Sequence, residues 1–242
     1  GFRPGVMDRL NLGYETLQEV NPSLVYCSLT GYGQDGPLEE DVGHDLNYLA
    51  YAGVLGLSGP AHQPPGLPGT QVGDFTGAML SVIGVLQALY ERQHTDSGRY
   101  LDISMYDQLI SLMSVHLTNH RASDRGMEPG GELLNGGYVC YNVYETSDDR
   151  YVTLGLVEEK FWRRFCELIG EEDLKENHLA PAVDGNETYD RVRNVLGSRT
   201  LEEWTELFRG EDVCYGPVLD PDETLELDHF EARDLSVSVP TG

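Results

Sequence analysis

The chain has 242 residues, 40% of them hydrophobic, which is enough apolar material to bury a core in one large domain or two modest ones. Forty-one Asp and Glu oppose sixteen Lys and Arg, a formal net charge of −25, and only Lys160 and Lys175 are lysines. With no basic stripe to meet phosphates, nucleic acid is excluded as a partner.

The acids are dispersed (LEEDVGHD, YETSDDRY, IGEEDLKEN, LDPDETLELDHFEARD), as on a solvated acidic surface. High Asp and Glu with few lysines resembles proteins of salt-loving organisms, in which ions screen self-repulsion. No run of about eighteen apolar residues occurs and GFRPGVMDRLNLG is not a signal peptide, so a cytoplasmic protein without a membrane partner is expected. The four cysteines, Cys27, Cys140, Cys166 and Cys214, are far apart and form no CxxC pair. They read as reduced core thiols, with neither a disulfide framework nor a metal site. Opening on Gly1 in what reads as a strand end or loop, the chain is expected to be a fragment.

In chain order, YETLQEVNPS reads as a short helix stopped before Pro22, and LVYCSLTGYG as a strand ended by glycines. LNYLAYAGVLGLSG is helical in its first part, while Pro60, Pro64, Pro65 and Pro68 forbid a regular element after it. DFTGAMLSVIGVLQALYERQ, residues 74–93, predicts a helix apolar nearly all round, and hence a buried one. SGRYLDISMYD predicts a turn and a strand with Leu101, Ile103 and Met105 on one face, followed by one helix through DQLISLMSVHLTNHRAS. Strand and helix alternating in this way is the pattern of an α/β domain.

Around residues 121–137 the chain turns glycine-rich and aperiodic, which reads as a linker. Beyond it, YVCYNVYET and YVTLGLV flank the turn SDDR and lead into the helix EKFWRRFCELIG. TLEEWTELFRG opens with a capping-box pattern.

Four residues invite chemistry, and the three acids among them each have a plainer local reading. Asp45 and Asp74 stand at helix starts, where aspartate is a common cap. Glu158 ends YVTLGLV and begins the EKFW helix, whose dipole favours a carboxylate. Capping leaves His44, in GHDLNY, unexplained. His62, His94, His116, His120, His178 and His229 have no partner pattern and read as surface or core histidines.

GFRPGVMDRLNLG, NPSLVYCSLTGYGQDGP, GHDLNY, VGDFTGAML, LNGG followed by YNVYET, and GLVEEKFW resemble, in this order, the family III CoA transferases and racemases. The resemblance spans almost the whole chain, and family members have further sequence on both sides of it. Racemases of the family carry the histidine of GHD; the formyl-CoA type of transferase typically has another residue there and uses the later aspartate as nucleophile. Carried over, the resemblance implies that His44 is the general base, Asp74 the opposing acid/base, and Glu158 the carboxylate paired with the histidine. It implies that the Asp45 N–H meets the enolate oxygen, that Arg9 contacts CoA, and that Tyr48 and Tyr141 lie near the acyl pocket. A surface salt bridge is the other reading of Arg9, and an ordinary core position that of each tyrosine.

The implied fold is α/β. Residues 1–105 would form part of a large Rossmann-like CoA-binding domain, 106–142 a linker, 143–228 a small α+β domain and 229–242 the start of a return linker. An interlocked homodimer is implied, with an acyl-CoA substrate and no cofactor or metal beyond the substrate's own coenzyme A.

The chemistry suits these residue types. Inverting the α-carbon of an acyl-CoA removes a proton from one face and returns one to the other, so two groups of moderate pKa must flank it. The expected function is epimerisation of 2-methylacyl-CoA thioesters by 1,1-proton transfer through an enolate. The alternatives are CoA transfer between carboxylic acids with Asp74 as nucleophile, and a non-catalytic acyl-CoA-binding homologue.

Overall fold

The computed structural model describes residues 2–123, 126–237 and 239. It divides into two compact units, Gly1–Gly130 and Gly131–Gly242.

The first unit runs α1 (Val6–Arg9), α2 (Tyr14–Val20), β1 (Val25–Thr30), α3 (Asp45–Tyr51), α4 (Val72–Thr95), β2 (Arg99–Ser104), α5 (Met105–Leu112) and α6 (Ser114–Ala122). β1 and β2 pair in parallel, Val25 opposite Arg99 through Thr30 opposite Ser104. Parallel pairing needs a long crossover, and α4 supplies it, lying against both strands and against α3 and α5. A small core gathers Tyr32, Tyr48, Leu49, Ala52 and Leu109 where α3 and α5 meet.

Helix α4 has the expected place but not the expected burial. Its buried residues are Gly73, Gly77 and Ala88, whereas Phe75, Met79, Val82, Ile83, Leu86 and Tyr90 are exposed. The inner face is the face of small residues: a Cβ at Gly77 would stand 2.9 Å from Met105 Cγ and 3.1 Å from Leu29 Cδ1. Close approach to the strands selects glycine there, and the large apolar side chains are left on the other side. By length and composition the helix would also suffice to cross a membrane.

The strand expected to include Met105 stops at Ser104, whose hydroxyl accepts the Asp107 N–H (3.1 Å) and caps α5. The single helix expected to follow is two, broken at Met113. The segment 106–142, expected as a linker, therefore holds most of α5, all of α6 and a 3₁₀ turn at Leu133–Asn135, and the division between units falls inside it.

The second unit contains β3 (Tyr141–Glu145), β4 (Tyr151–Gly155), α7 (Glu159–Ile169), α8 (Glu187–Leu196), α9 (Leu201–Phe208), β5 (Tyr215–Pro217), α10 (Pro221–Leu225) and α11 (Asp228–Ala232). Its sheet is antiparallel in the order β3-β4-β5. α11 occupies part of the segment 229–242 expected as a return linker. The core packs Trp162, Phe165 and Cys166 of α7 against Trp204 and Phe208 of α9, with Val152, Leu154 and Leu156 beneath. Thr200 and Glu203 form the expected capping box. On its surface the scarce cations are shared: Arg163, Arg164, Lys175 and Arg191 each bridge two carboxylates.

Of the four cysteines, Cys140 and Cys166 are buried and Cys27 half-buried, but Cys214 is exposed and is no core thiol. Burial pushes the Cys166 thiol from an ordinary 9.0 up to about 12. The folded thiol holds its proton more tightly than the unfolded one, so its contribution to stability is full below pH 9.0 and is lost as pH rises towards 12. Melting temperature measured from neutral pH to about 11 should fall more steeply in the wild type than in Cys166→Ala; parallel curves would contradict this.

Candidate active site

β1 carries the chain to the site and ends at buried Thr30. Gly31 follows, and a Cβ there would stand 2.4 Å from Cε1 of Tyr48; one at Gly43 would stand 2.8 Å from the same atom. The Tyr48 hydroxyl donates to the Gly43 carbonyl (2.6 Å), and Tyr32 packs edge-on against the Tyr48 ring with centroids 5.1 Å apart. Both ends of the loop 31–43 are thus held on one buried side chain, and only glycine leaves room for it. Burial raises the Tyr48 pKa, and the nearby carboxylates of Asp74 and Asp45 raise it further, so the hydroxyl keeps its proton and remains a donor at neutral pH.

His44 comes next as the N-cap of α3, with extended backbone. Its N–H donates to Asn47 Oδ1 (3.0 Å), the Asn47 N–H donates to the His44 carbonyl (2.8 Å), and the His44 side chain and Asn47 complete a capping box at the helix start. His44 itself is exposed.

Asp45 does more than open α3. Its carboxylate is buried, and Oδ1 accepts the N–H of Gly73 (2.6 Å) and of Asp74 (3.1 Å) at the start of α4. The first unit therefore joins His44, Asp45, Tyr48 and Asp74 through backbone and side-chain bonds. Asp74 lies in the first turn of α4 and is exposed.

Glu158 and Tyr141 belong to the second unit. Glu158 is the exposed N-cap of α7, where its carbonyl accepts the Phe161 N–H (3.0 Å). After burial, the Glu158 carboxylate is the next cause that raises the exposed Cys214 thiol. Tyr141 opens β3, half-buried, opposite Gly155.

A cavity of about 310 Å³ runs beside β1, from Phe2, Arg3 and Gly5 past Tyr14, Tyr26 and Tyr100 to Thr30 and Gln34. Its lining residues Thr30 and Gln34 stand on either side of Gly31 in the chain, where the Tyr48 clamp begins. The Arg9 guanidinium lies over Gly5, 3.3 Å from where a Cβ would be, and Arg9 makes no ion pair among the described residues. Among the described residues no group of three or more His, Cys, Asp or Glu is placed to hold a metal ion.

The model of CoA-transferase family III matches residues 1–242. The chain belongs to CoA-transferase family III. Relatives within the family include alpha-methylacyl-CoA racemase of Homo sapiens, 34% identical over 236 residues, 96% of this chain and 61% of that protein. They include acetyl-CoA:oxalate CoA-transferase of Acetobacter aceti, 29% identical over 244 residues, 98% of this chain and 62% of that protein. Among solved structures, Rv3272 of M. tuberculosis superposes with TM-score 0.80 at 25% identity, covering 100% of this chain and 65% of that one. The family's members are racemases and CoA-transferases acting on acyl-CoA, and the expected α/β family III fold is the one found. The chain spans about three fifths of the length of these curated relatives.

Sequence reading missed the bond from Asp45 to α4 and the clamping of Gly31 and Gly43 by Tyr48. The glycines were visible, Gly73 directly before Asp74 in GD and Gly43 two residues before Asp45 in GHD, but the side chain that each approaches is set by neighbours in space. The cavity beside β1 had its signal in Tyr14, Tyr26 and Tyr100, three aromatics on neighbouring segments.

Proposed function

We propose that the intact enzyme epimerises 2-methylacyl-CoA thioesters by 1,1-proton transfer through an enolate. The observation that supports this most is the bond network that joins the residue after His44 to the backbone of Asp74. In this reading His44 takes the α-proton from one face and Asp74 supplies one to the opposite face, the roles reversing for the other epimer. The enolate charge on the thioester oxygen is met by the Asp45 N–H in the first turn of α3, a preorganised donor that needs no rearrangement. Glu158 keeps the role the family resemblance gives it, fixing the tautomer of His44. Arg9 binds CoA phosphate, and Tyr48 and Tyr141 border the acyl group. Proton transfer alone changes no oxidation state, so the proposal includes no redox cofactor or metal, and it places the enzyme in the cytoplasm as a homodimer.

The similarity to the Acetobacter aceti transferase favours a second reading, in which Asp74 attacks the thioester carbonyl to form a mixed anhydride and expel CoA thiolate. The thiolate then attacks the Asp74 carbonyl, releasing the first acid and leaving an aspartyl-CoA thioester from which an acceptor carboxylate takes CoA by the same two steps in reverse. One assay separates the two. The intact enzyme is given a single 2-methylacyl-CoA epimer without acceptor acid, and the epimer ratio is followed. Approach to a mixture of both epimers is expected; an unchanged epimer that loses CoA only once a free acid is added would overturn the racemase reading.

A further inference from the structure

We infer that the Asp45 side chain is a positioning residue that holds Asp74 in register with His44; the inference rests on the proton-transfer reading above. Helix α4 has 24 residues, yet its own N-cap, Gln71, makes no side-chain capping bond. The cap comes from 28 residues earlier in the chain: the Asp45 carboxylate, 8% exposed, takes the N–H groups of Gly73 and Asp74 at 2.6 and 3.1 Å. A carboxylate accepting two backbone N–H groups at a helix start makes short charge-assisted bonds that align with the helix dipole.

The surroundings leave this bond little freedom. A Cβ at Gly73 would stand 3.0 Å from Asp45 Oδ1 and 3.2 Å from Leu109 Cδ1, and Leu109 is fully buried. Gly73 is thus pressed between the carboxylate and the core. Asp45 is also the residue directly after His44, whose backbone is fixed by its exchange of bonds with Asn47. The backbones of both groups proposed to move protons are therefore referred to one side chain. The side chains of His44 and Asp74 are both exposed, so burial does not fix them and their placement follows that of their backbones. A misplacement of about 1 Å between reacting groups can cost about 10²-fold in rate, which is the effect expected when this tie is cut.

The test uses Asp45→Ala and Asp45→Asn in the intact enzyme, with three readouts. Asparagine keeps an acceptor oxygen in the right place; alanine keeps none. Amide hydrogen exchange at Gly73 and Asp74 should be slow in the wild type and in Asp45→Asn, and fast in Asp45→Ala. Turnover should fall about 10²-fold in Asp45→Ala with KM within about threefold, and recover to within about tenfold of wild type in Asp45→Asn. In heavy water the ratio of α-proton exchange to inversion should rise in Asp45→Ala, because His44 still removes the proton while Asp74 no longer faces it. An Asp45→Ala variant with a lowered melting temperature but wild-type turnover and exchange ratio would overturn the inference, as would Asp45→Asn failing as badly as Asp45→Ala. If the wild type itself exchanged no α-proton but transferred CoA, the racemase reading would fall. Amide exchange and the Asp45 dependence of that Asp74-dependent transfer would then decide this inference on their own.

Discussion

His44→Ala in the intact enzyme lowers epimerisation by about 10²–10⁴-fold, the usual contribution of a positioned general base, while acyl-CoA affinity stays within about threefold. The start of α3 is held by bonds between the backbone of residue 44 and Asn47, to which the His44 side chain adds its part of a capping box, and His44 is exposed. Loss of that cap should cost about 1 kcal/mol of stability, far too little to unfold the variant. Turnover and KM measured on purified variant and wild type check it: a loss confined to turnover is expected. A variant that epimerised normally, or one that lost binding and turnover together, would contradict the assignment of His44 as base.

Trp162→Ala should be the most damaging single substitution in the second unit, costing about 3–5 kcal/mol of stability by the usual scale for a buried aromatic. Trp162 is fully buried in α7, its ring lies 5.6 Å from that of Phe165, and its Nε1–H donates to the Leu174 carbonyl (2.9 Å). Truncation opens a cavity and removes one of the two donors to that carbonyl, which keeps the Asn177 N–H (2.8 Å). Trp162→Phe keeps most of the volume and loses one hydrogen bond without leaving the carbonyl unpaired, so it should cost about 0.5–1.5 kcal/mol. Denaturant unfolding monitored in the intact protein distinguishes the two: a large shift of midpoint for alanine and a smaller one for phenylalanine are expected, and equal midpoints would contradict this account of the core.

What could be read in the sequence was local. The extent of α4, the capping box at Thr200, the hairpin around SDDR and the proline-rich stretch without regular structure all depend on signals within a few residues. Reading failed where a neighbour in space decides. The face of α4 that packs is the one with Gly73, Gly77 and Ala88, because closeness to β1, β2 and α5 matters more there than side-chain size, and apolarity all round gives no hint of it. Met105 reads as the last inward residue of a strand until the Ser104 hydroxyl caps a helix at that point. Helix α8 went unread because ETYDRVRNVL is mostly polar, with burial confined to Thr188, Val192 and Leu196.

The candidate site follows the same rule. GHD and GD could be found one at a time, and the family resemblance put them in one reaction. That Asp45 reaches the start of α4 is a contact across 28 residues, for which no periodicity or spacing is a signal.

The most direct test of two-base proton transfer is the half-reaction in heavy water. Each 2-methylacyl-CoA epimer is supplied separately to wild-type enzyme, His44→Ala and Asp74→Asn, and deuterium at the α-carbon is followed by NMR in substrate and product before equilibrium. Two opposed bases predict that wild type places deuterium in the inverted product from either epimer. They also predict that each variant stops removal of the α-proton from one epimer while leaving slower exchange from the other. Equal loss of exchange from both epimers in both variants, or deuterium-free inversion in the wild type, would contradict it.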